Sequence, residues 1–349
     1  MYPYSCGFDF GNSDTCVVLT GLDKASRSLS IPSETSLGEL KRLQSLGIKI
    51  KPTDYIYRDE NTELFIGDLA ISQGRDPFSA RGDVSRYHSD TALHLLLTTT
   101  AALTPYESEI TINVVTGVPV DTFIGSPEIR RTVKNALSGS YNFSLNGADR
   151  CTQIIVKSVV MEGAGAMVKY GLNGKVRQGV IDIGGKTTDL FVSNGQEPIS
   201  SLCKSIPIGV ENAYDQLNAS FESLYHRPLD RSELRDIMYA FVNGKKPGPI
   251  YADGSLVPNV SDLARKATNK VGAEIAAYIA AYWRDNLAGK VASSFARVLL
   301  IGGGSYYYKA PIQRQIANVS LPDKPEMANA AGYCDVAYAF TIKELEASA

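Results

Sequence analysis

Two aspartates set beside glycine turns carry the most chemistry in this 349-residue chain. Residues 8–19 read FDFGNSDTCVVL and residues 181–192 read IDIGGKTTDLFV, and the two segments align without a gap. Phe8 falls on Ile181, Asp9 on Asp182, Gly11 on Gly184 and Thr15 on Thr188. Each copy predicts a strand, a small-residue turn opened by Asp-x-Gly and a returning apolar strand, which is a β-hairpin. A glycine turn has no Cβ to hold a ligand away, so its N–H groups approach phosphate oxygens and donate to them. Gly11, Gly184 and Gly185 supply that backbone. Asn12, Ser13, Thr15, Thr187 and Thr188 are the candidate side-chain donors, and Asp14 and Lys186 complete the two turns. Asp9 and Asp182 each offer a hard oxygen to Mg²⁺, reached through the waters that this ion retains. A single turn of this kind is ordinarily just a hairpin. Two matching copies about half a chain apart imply two similar lobes, with one polyphosphate gripped from both sides in the cleft they form.

The elements that must position these residues follow from hydrophobic periodicity. Residues 92–103 (ALHLLLTTTAAL) predict a helix, residues 110–116 alternate as a strand, and the β-branched run 153–161 predicts another strand ahead of a small-residue helix start at EGAGAMVKY. Val210, Tyr214, Leu217, Phe221 and Leu224 recur at helical spacing behind Gly209 and Glu211. A long helix is expected over 262–288, with Leu263, Val271, Ile275, Ile279 and Trp283 on one face, and NGKKPGPIYADGS at 243–255 reads as a loop. A third glycine cluster closes the run VLLIGGG at 298–304. Gly302, Gly303 and Gly304, followed by Ser305, form a turn whose backbone can lie against a nucleoside. Strands and helices mixed in this order imply an α/β architecture with a sheet at the centre of each lobe. The expected lobes are 1–165 plus 325–349, the last stretch returning as a helix, and 166–324.

Composition narrows the function classes. Thirty-five basic residues against 37 acidic give a net charge of −2, so no excess favours wrapping nucleic acid or lying on an anionic membrane. Any role on DNA then runs through a partner. Five scattered cysteines and three histidines lack the spacing of a zinc site or a disulfide framework. The N-terminal residues MYPYSCGFDF lack a signal-peptide pattern and no apolar run approaches a membrane span, which predicts a cytoplasmic protein without membrane insertion.

In their order, DFGNSDT, DIGGKTTD and LLIGGGS resemble the phosphate-one, phosphate-two and adenosine motifs of the actin, heat-shock chaperone and sugar kinase superfamily. FIGDLA (65–70), VVTGVPVDTF (114–123), VVMEGAGA (159–166), SIPIGVENA (205–213) and PEMANAAGY (325–333) resemble its short prokaryotic branch, that of ParM/StbA plasmid-segregation actins and archaeal actin-like proteins. The resemblance implies a two-lobed, ribonuclease H-like ATPase fold with ATP or GTP and Mg²⁺ in the interlobe cleft. It implies hydrolysis coupled to assembly of a filament of identical subunits, in DNA segregation or a prokaryotic cytoskeleton, with a DNA-binding adaptor as a further partner. Glu162 then occupies the position that orients the attacking water. Gly209 and Glu211 resemble the segment lining the ribose, and Glu233 and Arg235 lie in the helix that often meets the base.

Two departures stand out. Many relatives place a lysine shortly after the first turn, where this chain has Cys16, and position 186 is lysine where DIGGGTTD is common. Lys186 supplying the cation that position 16 lacks is one reading; a solvated loop lysine is the other. A small-molecule kinase of the same superfamily remains the alternative function, although no separate carboxylate motif offers an acceptor base. A chaperone-type ATPase would need a peptide-binding domain for which the two lobes leave no chain, and a membrane scaffold would need an anchoring terminus. The run Tyr306-Tyr307-Tyr308 is a candidate interface or local packing.

Overall fold

A computed structural model describes residues 3–79, 84–283 and 291–348. The chain divides into two compact units, Met1–Gly171 with Glu326–Ala349, and Leu172–Pro325.

The first unit contains β1 (Tyr4–Phe10), β2 (Asp14–Thr20), β3 (Ser26–Pro32), β4 (Glu34–Leu37), α1 (Leu40–Ser45), β5 (Tyr55–Arg58), β6 (Glu63–Ile66), α2 (Asp68–Gln73), β7 (Arg75–Ser79), α3 (Asp90–Leu103), β8 (Glu109–Val118), α4 (Val120–Gly125), α5 (Ile129–Leu137), β9 (Gly139–Leu145), β10 (Ala148–Met161) and α6 (Ala164–Tyr170). Among the described residues its strands form one sheet in the order β3-β2-β1-β8-β10-β9-β5-β6-β4-β7. At its heart β1 runs antiparallel to β2 and parallel to β8, which runs parallel to β10. These strands are buried on both faces because helices cover both. On one face α3 buries Leu95, Leu96 and Leu97 completely. Each is worth about 1.5–3 kcal/mol of transfer free energy. Of the buried threonines that follow, Thr99 and Thr100 satisfy their hydroxyls within the helix: Thr99 donates to the Leu95 carbonyl at 2.7 Å and Thr100 to Leu96 at 2.8 Å.

The second unit contains β11 (Arg177–Ile183), β12 (Thr188–Asn194), β13 (Glu197–Pro198), β14 (Lys204–Ile206), α7 (Val210–Tyr225), α8 (Arg231–Val242), β15 (Tyr251–Ala252), β16 (Ser255–Leu256), α9 (Val260–Tyr282), β17 (Arg297–Ile301), α10 (Ser305–Gln315) and β18 (Val319–Ser320). Its sheet runs β13-β12-β11-β17-β18, with β14 also paired to β12. The core under α7 and α9 gathers Leu217, Phe221, Val271, Ile275, Ile279 and Trp283. Leu224, expected on the apolar face of α7, is 59% exposed, whereas Phe221 and Tyr225 hold the end of the helix on the core. The long helix begins at Val260 and ends at Tyr282; the remainder of the expected 262–288 span, from 284 onward, lies outside the described residues.

The chain then returns to the first unit as α11 (Ala328–Ser348). The Asn329 side chain accepts from the N–H groups of Gly163 (3.1 Å) and Ala166 (3.4 Å), capping α6. Helix α6 thereby belongs with the first unit, which runs to Gly171.

Candidate functional site

The two hairpins have the same internal register. In the first, Asp9 faces Cys16 and Phe10 faces Thr15; in the second, Asp182 faces Asp189 and Ile183 faces Thr188. Each first strand also pairs in parallel on its other side, β1 with β8 and β11 with β17. An aspartate therefore ends the inner strand of each unit's sheet, and the glycine turn follows at the strand's carboxyl end, where open α/β sheets bind ligands.

In the first unit the turn is clamped from behind by Ser33. Its N–H donates to the Ser13 carbonyl at 2.9 Å and its hydroxyl to the Gly11 carbonyl at 2.8 Å. Thr15 is wholly buried with its hydroxyl 2.8 Å from Ser33 Oγ. Because the Ser33 proton goes to Gly11, the Thr15 proton goes to Ser33. Thr15 is thus corrected from a candidate phosphate donor to a brace. Thr188 repeats the correction in the second unit: it is fully buried and donates to the Ile208 carbonyl at 2.8 Å. Both threonines occur at the same hairpin position because both turns need internal support there. Asn12 and Ser13 stay half-buried on the first turn, as do Lys186 and Thr187 on the second, and Asp14 is exposed.

Cys16 brings no charge to the first turn. Its side chain packs with Val18, Met327, Ala330 and Cys334, and burial, reinforced by the neighbouring Asp9 carboxylate, pushes the thiol well above its usual range. The cation in this unit is one that the sequence did not single out. Arg86, 5% exposed, donates to Asn12 Oδ1, to the Phe10 carbonyl at 2.5 Å and to the Tyr87 hydroxyl at 3.0 Å. It lies over the rings of Phe10 and Tyr87, 4.9 Å and 4.5 Å from their centroids. No motif marks Arg86 or Tyr87, since they reach the turn from 74 residues away in the chain.

Glu162 sits between β10 and α6, one residue before the helix N-cap Gly163, rather than in the first helical turn. Its backbone N–H donates to the Val118 carbonyl at 2.9 Å, and its Oε1 accepts from the Tyr87 hydroxyl at 3.3 Å. Glu162, Tyr87, Arg86 and Asn12 therefore form one hydrogen-bonded chain inside the first unit.

In the second unit the turn rests on the start of α7. Val210 N–H donates to the Gly184 carbonyl at 3.0 Å, Glu211 N–H to Gly185 at 2.8 Å, and the turn closes on itself from Gly184 N–H to Thr187 O at 2.9 Å. Gly209 permits this approach, because a Cβ there would lie 2.4 Å from the Gly185 oxygen. Its N–H is held by Asn212 Oδ1 at 2.9 Å. The third glycine cluster adjoins the same turn. Asp182 pairs with Ile301, Gly304 N–H donates to the Ile183 carbonyl at 2.8 Å, and Gly302 has φ +77°. Gly303 is exposed, and nothing lies within 4 Å of where its Cβ would stand. Ser305 is completely buried at the start of α10.

Other candidates are occupied elsewhere. Glu233 is the N3 residue of a capping box with Asp230 and pairs with Arg227 at 2.8 Å; the Arg227 hydrogen bond holds its carboxyl below the usual range. Arg235 lies on the same helix, α8. Of the three tyrosines, Tyr306 is exposed, whereas Tyr308 is fully buried with its hydroxyl 3.4 Å from the Gly209 carbonyl. Among the described residues no three histidine, cysteine, aspartate or glutamate side chains gather as a metal cluster. Asp9 and Asp182, each beside the glycine turn of its own unit, have the hard carboxylate oxygens that orient the waters of a magnesium ion. No helix of the described residues is long and apolar enough to cross a membrane.

Comparison with known proteins agrees with this architecture. The family described as actin-like proteins, N-terminal domain, matches residues 7–165, and that described as archaeal actin homologue MreB-like, C-terminal, matches residues 180–313. The crystal structure of the archaeal actin homologue Ta0583 superposes with a TM-score of 0.74 at 20% identity, covering 96% of this chain and 99% of that one. The ParM subunit of a 15-stranded filament from Clostridium botulinum gives a TM-score of 0.76 at 23% identity, covering 97% and 100%. ParM of Bacillus thuringiensis with AMPPNP gives 0.67 at 13% identity, covering 97% and 99%. No curated protein matches by sequence. With paired Asp-x-Gly hairpins in one register and the two domain types in succession along the chain, the protein belongs to the actin-like proteins.

Proposed function

We propose that the chain is a nucleotide-gated polymer subunit that binds ATP or GTP with Mg²⁺, assembles with copies of itself and comes apart after hydrolysis. The observation that carries this reading is the matched pair of hairpins, Asp9 with Gly11 and Asp182 with Gly184, each at the carboxyl end of its unit's inner strand. Relatives of the same fold have been solved as a filament, with ADP and with AMPPNP.

Each residue has a stated task. The N–H groups of Gly11, Asn12 and Ser13, and of Gly185, Lys186 and Thr187, donate to phosphate oxygens; the Ser33 and α7 contacts keep those turns rigid beforehand. Asp9 and Asp182 orient the waters of the magnesium ion, which when bound neutralises charge on the phosphates. Gly302, Gly303 and Gly304 offer a bare backbone against which the nucleoside lies. Glu162 positions the attacking water and accepts its proton. Assembly is head to tail, since only a non-closing contact propagates. The cargo is plasmid or other DNA, reached through a DNA-binding adaptor, because the near-neutral chain has no charge excess to hold nucleic acid directly.

Light scattering and pelleting with ATP and GTP, with and without Mg²⁺, test the proposal. Assembly that requires nucleotide and reverses with phosphate release is expected. A chain that stays in the supernatant and releases no phosphate under all four conditions overturns it.

A further inference from the structure

We infer that Arg86 is the cation of the first phosphate turn and a positioning residue, acting through Asn12 and Tyr87 to fix which way their hydrogen bonds point. The inference rests on the nucleotide reading above and adds to it the residue that aligns the Asn12 donor and the Glu162 carboxylate.

The argument is one of polarity. A guanidinium has five N–H donors and no acceptor, so every partner must accept from it. Asn12 Oδ1 accepts from Arg86 Nη1. The Asn12 amide is thereby fixed against flipping, and its Nδ2 hydrogens, which Arg86 cannot bind, are its remaining bonding groups: donors suited to an anion. Tyr87 Oη accepts from Arg86 Nη2 at 3.0 Å. The tyrosine proton is therefore directed to its other neighbour, Glu162 Oε1, at 3.3 Å. One arginine thus sets a donor toward the turn and a proton toward the carboxylate that holds the water. A lysine has one nitrogen and cannot span the acceptors that the two Nη atoms reach here.

Charge supports the same conclusion. Arg86 is 5% exposed, and among the described residues no carboxylate forms an ion pair with it; its partners are an amide, a carbonyl, a phenol and two ring faces. A buried charge without a counter-ion is unfavourable until an anion arrives. A triphosphate on the Gly11–Ser13 turn answers that need. Cys16, at the usual lysine position, is a buried neutral thiol and cannot.

The test measures ATP affinity by equilibrium titration, kcat by phosphate release, and melting of the nucleotide-free protein, for the wild type, Arg86→Lys, Tyr87→Phe, the double variant and Glu162→Gln. Arg86→Lys is expected to weaken ATP binding by about tenfold and to lower kcat by a similar factor. Tyr87→Phe is expected to leave ATP affinity within about twofold and lower kcat by about tenfold, because it acts on the carboxylate alone. The double variant should have a kcat no lower than Arg86→Lys, since both changes cut one hydrogen-bond chain. Unchanged ATP affinity in Arg86→Lys, or kcat losses that multiply in the double variant, would overturn the inference while wild-type binding and a dead Glu162→Gln leave the nucleotide reading standing. A wild type that does not bind ATP sinks both. Tyr87→Phe removes a single oxygen, so its kcat keeps the inference refutable even if the Arg86 variants fail to fold.

Discussion

The backbone of Gly302 lies against the carboxylate of Asp182 so closely that a Cβ on it would stand 2.5 Å from Oδ1 and 2.5 Å from the Ile183 carbonyl oxygen. Its φ of +77° is a second barrier to any side chain. Gly302→Ala is therefore expected to destabilise the protein by about 2–4 kcal/mol, from the left-handed backbone and the clash together. Urea unfolding measures it, and nucleotide affinity should fall in step because Asp182 is displaced.

Asp182→Asn preserves shape at a buried position and removes the charge that, under the proposed function, orients the magnesium waters. Phosphate release should drop by roughly 100-fold with the unfolding midpoint little changed. A turnover close to wild type would remove Asp182 from the metal role, and Asp9→Asn is the matching test on the first hairpin.

Lys186 forms no hydrogen bond or ion pair among the described residues, so its charge costs the fold little to lose. If it serves the phosphates as the second turn's cation, Lys186→Ala weakens ATP by about tenfold at unchanged melting temperature. Equal affinity for variant and wild type would mark it as a solvated loop residue.

Glu233 is expected to matter to stability rather than to nucleotide. Its carboxyl is held below the usual range, first by the Arg227 hydrogen bond, so its contribution is present above the unfolded carboxylate range and is lost as pH falls through the lower folded value. Glu233→Ala should cost about 1 kcal/mol near pH 7, from the capping box and a mostly solvated pair, and less in acid, once the carboxyl is protonated in the folded state as well. Urea unfolding near neutrality and in acid checks this, and ATP affinity should stay within about twofold.

The hairpins were legible because their demands are local. An Asp-x-Gly turn needs glycine for its backbone, and a duplicated register leaves a duplicated string, so residues 8–19 and 181–192 can be aligned by eye. Periodicity likewise located α3, β8, α7 and most of α9. It misjudged Leu224, because at the end of the helix it is Phe221 and Tyr225 that meet the core, a choice that periodicity in the string does not make.

Side-chain direction was not legible. Thr15 and Thr188 have the composition of phosphate donors, yet each spends its one proton inside its own unit, on Ser33 and on the Ile208 carbonyl. Glu233 reads as a residue of the helix that meets the base until Arg227 is seen beside it. Gly209 looks like one more turn glycine until the Gly185 oxygen is found where its Cβ would be.

What the sequence by itself determined is the family's chemistry: two aspartate turns, a third glycine turn and the α/β order that carries them, all properties of contiguous residues. What only the tertiary structure decided is which groups face those turns from elsewhere in the chain. Ser33 clamps Gly11, Asn329 caps the helix after Glu162, and Arg86 with Tyr87 joins Asn12 to Glu162. Hydrogen-bond polarity and burial depend on neighbours in space, and chain folding brings those neighbours together from positions that no spacing in the string relates.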